Sequence, residues 1–314
     1  MLAAVTGSNG FIGQHLCARL RADGWAVRAG VRRDMAPDAI GEFVAGADVV
    51  IHAAGATRAP SEHDLRQSNV ELTRRVATAA ASGGVGRLVF ISSQAAAGPA
   101  ATLERAVTER DDPHPIEAYG RSKLAAERVV RDTSDAKALA FTIVRPAAVY
   151  GPADRDFLAL FRLAKRGVAL HPGNRAQWIS LVHVDDVVDG VMRAATRDAA
   201  IGGTYFLAND APVQWLELYR QAAMRGGREV GRRIAVDIEI PRVLVDVAAS
   251  MGDVMAKMTG NAGLLTSGKA MLTRPRFWVC SNARARHELG FTPRVSVGDG
   301  LAAVYDWYDS HGWL

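Results

Sequence analysis

The sequence predicts an α/β fold in which a doubly wound parallel sheet carries a smaller, mostly helical C-terminal lobe. Short, continuously apolar runs alternate with longer stretches of helical spacing across the first half of the chain. A glycine-rich turn also joins the first apolar run to the first helical stretch. Strands that are apolar on both faces and alternate with helices belong to parallel sheets covered on both sides.

The elements of the first half follow from this periodicity. The predicted strands cover residues 2–5, 26–31, 49–52, 88–92 and 141–144, and the predicted helices cover residues 12–22, 68–81, 119–133 and 156–166. Two later apolar stretches, residues 182–184 and 204–207, are expected to return to the same sheet.

After Gly151 the strand–helix rhythm becomes irregular, and five of the six tryptophans lie beyond residue 170. This change indicates a second structural unit that takes its chain from two separate segments. We expect a body formed by residues 1–151 and about 179–207, and a lobe formed by about 152–178 and 208–314.

Composition excludes several classes of protein. The 314 residues are 49% hydrophobic and carry a formal net charge of +5. The basic residues are scattered among acidic ones, so nucleic acid is not an expected partner. The longest uncharged stretch, residues 88–103, is shorter and more polar than a transmembrane helix, and residues 1–10 do not resemble a secretory signal. The two cysteines, Cys17 and Cys280, are far apart, which favours a reducing cytoplasm and argues against a metal site.

Three glycines at three-residue spacing, Gly7, Gly10 and Gly13, stand between the first strand and the first helix. In this context a glycine pattern predicts the phosphate-binding turn of a dinucleotide-binding (Rossmann) domain. The turn and the free N–H groups of the helix would hold the pyrophosphate, and the candidate cofactor-binding residues here are Gly7, Asn9, Gly10, Phe11, Ile12 and Gly13. The alternative is a tight turn that binds no ligand.

The end of the second strand predicts which dinucleotide is bound. An acidic residue about 20 residues beyond the glycines is typical of NAD sites, whereas this strand ends in Arg32 and Arg33. A guanidinium suits the 2′-phosphate of NADP, so we predict NADP as cofactor with Arg32 as a ligand. Asp34 keeps NAD possible, and the two arginines could simply be a solvated strand end.

Tyr119 and Lys123 are four residues apart and therefore lie on one face of a helix. A nearby Lys favours the phenolate form of a tyrosine, whose ordinary pKa is near 10. The pair is thus a candidate acid–base catalyst. A Tyr-x-x-x-Lys pattern is common by chance and becomes informative only beside the glycine turn.

Taken together, these motifs resemble the extended short-chain dehydrogenase/reductase family, also called the NAD-dependent epimerase/dehydratase family. The resemblance extends over nearly the whole chain and rests on TGSNGFIG (6–13), DVVIHAAG (48–55), ISS (91–93), YGRSK (119–123), RPAAVYGP (145–152) and HVDD (183–186), all in family order.

The resemblance implies roles for individual residues. Tyr119 would be the general acid or base, Lys123 would lower its pKa and bind the nicotinamide ribose, and Ser93 would orient the substrate oxygen. Tyr119 and Lys123 would also contact the cofactor, and the residues that would further line it are Ala53, Ala54, Gly55, Asn69 and Pro146. The family also implies a homodimer through a four-helix contact that includes the Tyr119 helix.

The chain departs from the family pattern in two places. The segment 34–47 has room for one helix, over residues 35–45, so the edge strand after Arg33 is predicted to be missing. Ala148 and Ile179 replace the Asn and Arg with which nucleotide-sugar enzymes of the family hold a diphosphate, although Arg175 lies close by. The lobe instead offers apolar side chains, including Phe157, Phe161, Trp178 and Trp215. We expect most of them to be core, and we expect residues 243–258 to be a lid or core helix rather than a membrane-surface contact, because Asp246 and Asp253 suit an anionic membrane poorly. A membrane is not an expected partner.

We therefore predict an NAD(P)-dependent oxidoreductase acting on a carbonyl or secondary alcohol of a small, apolar or aromatic substrate. The lobe is similar to that of the dihydroflavonol reductase and 3β-hydroxysteroid dehydrogenase branches. One alternative is a nucleotide-sugar 4-epimerase, dehydratase or 4-ketoreductase, and another is a non-catalytic NAD(P)-sensing protein.

Overall fold

A six-stranded parallel sheet forms the centre of the molecule, as predicted. The computed structural model describes residues 1–30, 36–225, 228–229, 234–259 and 266–314. The strands are β1 (Leu2–Thr6), β2 (Ala26–Gly30), β3 (Val49–His52), β4 (Arg87–Ile91), β5 (Phe141–Pro146), β6 (Ala148–Tyr150), β7 (Val168–Pro172), β8 (Trp178–Ile179), β9 (Leu181–His183), β10 (Thr204–Leu207), β11 (Val213–Gln214), β12 (Met224–Arg225), β13 (Arg228–Glu229), β14 (Val236–Ile240) and β15 (Phe277–Trp278).

Helices flank this sheet and continue into the second half of the chain. They are α1 (Phe11–Ala22), α2 (Pro37–Val44), α3 (Glu62–Arg66), α4 (Leu72–Ser82), α5 (Ala118–Lys137), α6 (Leu158–Lys165), α7 (Val184–Thr196), α8 (Trp215–Ala222), α9 (Arg242–Thr259), α10 (Ser267–Leu272), α11 (Ala283–Leu289) and α12 (Val297–Ser310). A π-helical turn, Gln67–Glu71, joins α3 to α4, and short 3₁₀ turns cover Gln94–Ala96 and Asp198–Ala200.

The order of strands in the sheet is β10-β5-β4-β3-β1-β2. The chain winds to one side of β1 through β2 and to the other side through β3, so the order reverses at β1 and β3. Ligands of doubly wound sheets bind at such a reversal, outside the carboxyl ends of the strands. The glycine turn after β1 and the Ala53–Gly55 segment after β3 both lie at this edge of the sheet.

The segment after β2 holds the one helix predicted there, observed as α2. Within the described residues no strand lies beyond β2, which agrees with the prediction of a missing edge strand. The prediction for residues 182–184 is wrong in one respect, because β9 pairs with β6 rather than with the central sheet. The prediction for residues 204–207 is confirmed, since β10 pairs with β5.

A separate apolar cluster lies in the second half of the chain. It contains the fully buried Tyr150, Phe161 and Tyr308, with Phe157 and Trp215 packed against it. Most of the lobe's aromatic side chains are therefore core, as expected. The exception is α9: its large apolar residues outside Val245 are exposed, so the interpretation of residues 243–258 as core is wrong.

Three further expectations can be compared with the described part of the chain. No helix there is long and apolar enough to cross a membrane. No group of three or more His, Cys, Asp or Glu side chains is placed to hold a metal ion in those same residues. Cys17 and Cys280 are buried free thiols.

A buried ion pair fastens α5 to the sheet. Arg145 on β5 donates to both carboxylate oxygens of Glu127 on α5, at 2.9 and 2.7 Å, and Ser92 at the end of β4 donates to the same carboxylate at 2.5 Å. The two charged side chains are at most 5% exposed. The pair is therefore satisfied by hydrogen bonds on both sides, as burial of charge requires.

We expect Glu127→Ala to destabilise the fold strongly, because Arg145 would remain buried without its counter-charge. The free energy of unfolding from urea denaturation should fall by about 3–5 kcal/mol. Glu71→Ala removes the exposed partner of Arg74 and is the matched control, with a change below about 0.5 kcal/mol. Equal effects of the two substitutions would contradict this view of the buried pair.

Candidate active site

The glycine turn after β1 has a geometry that side chains would obstruct. Gly7 has a φ of +67°, and a Cβ there would lie 2.6 Å from the backbone nitrogen of Ala54. A Cβ on Gly13 would overlap the carbonyl oxygen of Gly7. The Gly10 N–H donates to that same carbonyl at 2.9 Å and closes the turn. The glycines thus allow two elements to approach the turn closely: α1 and the loop after β3, residues 53–61, which we call the β3 loop.

The first turn of α1 is suited to an anion. Gly10 is its N-cap and provides no side chain to cap the helix, so the first N–H groups keep their capacity to donate. Asn9 is exposed at the turn, and Phe11 and Ile12 are partly buried. This open, glycine-lined cradle fits the pyrophosphate of a dinucleotide. Arg32, the candidate ligand of a 2′-phosphate, lies outside the described residues, as do Arg33 and Asp34.

A buried chain of hydrogen bonds runs from β1 to the π-helical turn. His52 lies between Thr6 and Thr73, with Nδ1 2.6 Å from the Thr6 hydroxyl and Nε2 2.9 Å from the Thr73 hydroxyl. Burial lowers the pKa of His52 to about 3, so the ring is neutral and has one N–H. The Thr73 hydroxyl donates to the Asn69 carbonyl at 2.5 Å.

These contacts determine which atom donates and which accepts in each hydrogen bond of this series. Because Thr73 already donates to Asn69, its oxygen must accept from His52 Nε2, which leaves Nδ1 to accept from Thr6. The Thr6 oxygen in turn accepts from the Ala54 N–H at 3.2 Å. The tautomer of His52 with its proton on Nε2 therefore links the β3 loop to the π-helical turn through a continuous series of hydrogen bonds.

The Asn69 side chain holds the other end of the β3 loop. Its Oδ1 accepts from the Ala56 N–H at 2.7 Å, and its Nδ2 donates to the Ala56 carbonyl and to the Ser122 hydroxyl, at 3.0 and 2.8 Å. A Cβ on Gly55 would lie 2.8 Å from Asn69 Oδ1. Ala53, Ala54 and Gly55 consequently form a small-residue wall beside the glycine turn, and Asn69 fixes that wall.

The structure brings Ser93 and Tyr119 together. The Ser93 hydroxyl is close enough to the Tyr119 phenol to lower its pKa, and Ser93 also accepts from the Ala95 N–H as the cap of a 3₁₀ turn. A Cβ on Gly120 would overlap the Ala95 carbonyl oxygen, so this glycine lets α5 approach the turn. Glu117 is the N-cap of α5, and its buried carboxylate accepts from the Tyr119 and Gly120 N–H groups at 2.6 and 2.5 Å.

Tyr119 is a neutral phenol in this environment. Burial raises its pKa to about 12, the carboxylates of Glu117 and Asp156 act in the same direction, and the Ser93 hydrogen bond opposes them. The lowering of this pKa by Lys123, which the family resemblance implies, stays a prediction. A neutral phenol beside a serine hydroxyl is arranged to donate a proton.

Lys123 lies one turn further along α5, and its Nζ donates to the Ile91 carbonyl at 2.6 Å. The ammonium stands 4.5 Å from the centre of the Phe90 ring and 3.8 Å from the position a Cβ would take on Gly55. Burial lowers the pKa of Lys123 to about 8, while Glu127 opposes the shift. Pro146 ends β5 at the same carboxyl edge of the sheet.

The two positions that the family resemblance implies for a sugar diphosphate carry no side chain suited to it. Ile179 is 5% exposed in the apolar cluster, and Ala148 has no polar side chain. Arg175, which lies close by in the sequence, is paired with Asp237. Among the described residues, these positions therefore offer neither the asparagine nor the arginine of nucleotide-sugar enzymes.

Sequence reasoning missed the residues that support the site from behind. Thr6, His52 and Thr73 are far apart in sequence, and only the fold shows that they form one hydrogen-bonded chain. Glu117 had a visible signal, since a residue just before a helix that begins with Tyr119 is a candidate cap. Glu is not among the preferred capping residues, so the sequence alone does not predict that Glu117 caps α5.

The fold and the site together define a class: a dinucleotide-binding α/β enzyme with a serine–tyrosine–lysine arrangement. The model of the NAD-dependent epimerase/dehydratase family matches residues 3–208. The chain belongs to that family and is an NAD(P)-dependent oxidoreductase of the extended short-chain dehydrogenase/reductase type.

Two relatives and one solved structure illustrate the similarity. The ceramide reductase of Caulobacter vibrioides is 30% identical, over 100% of this chain and 96% of the relative. The 2-alkyl-3-oxoalkanoate reductase of Stenotrophomonas maltophilia is 27% identical, over 96% and 97%. The structure of MoeE5 in complex with UDP-glucuronic acid and NAD has a TM-score of 0.76 at 23% identity and covers 99% of both chains; it shows the shared fold.

We expect cofactor affinity to fall as the pH rises above about 8, where Lys123 loses its proton and, with it, the charge-assisted hydrogen bond of its ammonium to the nicotinamide ribose. Calorimetric titration across this range should show the decline in the wild-type protein and not in Lys123→Met. Lys165→Met, which removes a half-exposed lysine paired with Asp309, is the control and should retain it. A decline that persists in Lys123→Met would assign the titration to another group.

Proposed function

We propose that this enzyme transfers hydride between NADP(H) and a carbonyl or secondary alcohol on an apolar, lipid-like substrate. Residues 1–151 with about 179–207 would bind the cofactor, and about 152–178 with 208–314 would bind the substrate. The observation that carries the proposal is the Ser93 hydroxyl beside the neutral Tyr119 phenol at the carboxyl edge of the sheet. The two buried free thiols suit a reducing compartment such as the cytoplasm.

The proposed proton path uses side chains of this chain. In the reducing direction Ser93 donates a hydrogen bond to the substrate carbonyl oxygen, and Tyr119 gives that oxygen its phenolic proton. The Lys123 ammonium, one helical turn away, stabilises the phenolate that remains. The nicotinamide cofactor, when bound, supplies or accepts the hydride.

The nature of the substrate is inferred from the lobe and the relatives. The diphosphate-binding side chains are replaced by Ala148 and Ile179, and Arg175 is occupied by Asp237. Two full-length relatives are named for reducing a ceramide and an alkyl-oxoalkanoate. Both names describe molecules with alkyl chains, which supports an apolar substrate over a nucleotide sugar.

Removal of the Tyr119 hydroxyl should abolish most of the activity without loss of the fold. We expect Tyr119→Phe to lower kcat by about 10²- to 10⁴-fold on a panel of long-chain ketones, with cofactor binding unchanged. Tyr305→Phe, which trims another buried tyrosine on α12, is the control and should keep its kcat.

Two outcomes would redirect this proposal. Full activity of Tyr119→Phe would exclude Tyr119 as the proton donor. Thermal stabilisation by UDP-glucose or UDP-glucuronic acid, together with no turnover of ketones, would favour the epimerase alternative.

The preference for NADP rests on Arg32 and Arg33 in the sequence. We expect Arg32→Ala to weaken NADPH binding by about tenfold or more, because a charge-assisted hydrogen bond to the 2′-phosphate is lost, and to leave NADH binding nearly unchanged. Arg21→Ala, in the last turn of α1, controls for the loss of one surface charge. An unchanged ratio of NADPH to NADH affinity would contradict this assignment.

A further inference from the structure

Among the described residues, most of the large apolar side chains that are exposed lie on the outer side of α9. Seven large apolar side chains of this helix are between 53% and 81% exposed. They are Val243, Leu244, Val247, Met251, Val254, Met255 and Met258. Contiguous apolar surface of this kind marks an interaction site rather than ordinary surface composition.

The seven side chains lie on one side of the helix. At 100° per residue they fall within an arc of roughly 120°, and they extend over about 22 Å of helix length. The arc contains no charged residue. The opposite side holds Val245 and Ala249, which are buried against Ala270 of α10. We call the arc of seven residues the α9 apolar face.

The acidic residues of α9 do not interrupt this face. Asp246 pairs with Arg274 at 3.2 Å, and Asp253 accepts from the Ser267 N–H at 3.1 Å. Both lie on the side of the helix away from the α9 apolar face, by the same helical spacing. Their charges are therefore used to attach α9 to the α10 segment.

α10 connects α9 to the mouth of the active site. Lys269 of α10 lies 3.8 Å from the carboxylate of Asp156, which also pairs with Arg58 of the β3 loop at 2.8 Å. Asp156 is close enough to Tyr119 to raise its pKa. A Cβ on Gly268 would lie 3.8 Å from Glu117 Oε2. A single short helix thus separates the α9 apolar face from the catalytic residues.

We propose that the α9 apolar face docks on the surface of a lipid bilayer and so brings the mouth of the active site next to a membrane-held substrate. This inference rests on the proposed function, which assigns an apolar, alkyl-bearing substrate. An amphipathic helix that lies in the membrane interface buries such a face to the depth of the acyl-chain boundary.

The composition of the face favours lipid over protein. Four of the seven residues are Val or Leu, which are under-represented at the energetic centres of protein interfaces, where Trp, Tyr and Arg predominate. The dimer that the family resemblance implies is formed through a four-helix contact that includes α5. A second copy of this chain is accordingly the outcome that the test must separate from a bilayer.

Flotation with phosphatidylcholine vesicles tests the proposal directly. Wild-type protein should float with the vesicles, and Val247→Asp/Met251→Asp should reduce the bound fraction by about tenfold or more, because two charges would enter the apolar boundary. Ile201→Asp/Ala303→Asp adds the same two charges at exposed positions outside α9 and should bind vesicles as the wild type does.

Activity measurements separate docking from the proposed chemistry. Val247→Asp/Met251→Asp should retain wild-type kcat and KM on a short-chain, water-soluble 3-oxoacyl ester and lose about tenfold on its long-chain homologue embedded in the vesicles. Vesicle binding with no turnover of either ester would defeat the proposed function and leave docking intact.

Three results would overturn the proposal. The first is wild-type protein that does not float with the vesicles. The second is a wild-type dimer in sedimentation that Val247→Asp/Met251→Asp dissociates, with no vesicle binding, which would assign the face to a second copy. The third is an equal rise in KM for the soluble and the embedded ester, which would make α9 a lid over the site.

Discussion

The buried contact between Glu127 and Arg145 is the constraint on which the geometry of the candidate site depends. It joins the middle of α5 to the end of β5, and Ser92 ties the same carboxylate to the end of β4. Tyr119 and Lys123 precede Glu127 on the same helix, at intervals of four residues, so the pair fixes the rotation of that helix on the sheet. An apolar contact could hold the helix close, but it would not define its rotation as sharply.

The same arrangement sets the charges of the site. Burial would drive the proton from Lys123, and the nearby carboxylate of Glu127 limits that shift, so the ammonium persists at neutral pH. For Tyr119, burial and the nearby carboxylates of Glu117 and Asp156 all raise the pKa, so the side chain stays a protonated phenol. One helix therefore presents an acid and a cation side by side, although both groups are withdrawn from water.

Short sequence motifs predicted those parts of the candidate site whose residues are close together in the sequence. The glycine turn and the tyrosine–lysine spacing are short motifs, and the structure places both where the motifs indicate. The supporting chain through His52 could not be predicted, because its partners are separated by 46 and 21 residues and only the sheet brings them together. The helical segment that was predicted over residues 68–81 also begins earlier than the sequence pattern indicated. It starts with α3 at Glu62, six residues before the predicted start, and continues through the π-helical turn, Gln67–Glu71.

The exposure of α9 follows from how the lobe builds its core. Tyr150, Phe161 and Tyr308 close an apolar cluster to which α9 does not contribute, and α9 rests on the small side chains around Ala249. Periodicity identifies an amphipathic helix, but it does not say what covers the apolar side. Because the monomer gains little burial from the seven exposed side chains, its own packing does not account for an apolar face at this place. A contact outside the chain, such as the proposed bilayer, does account for it.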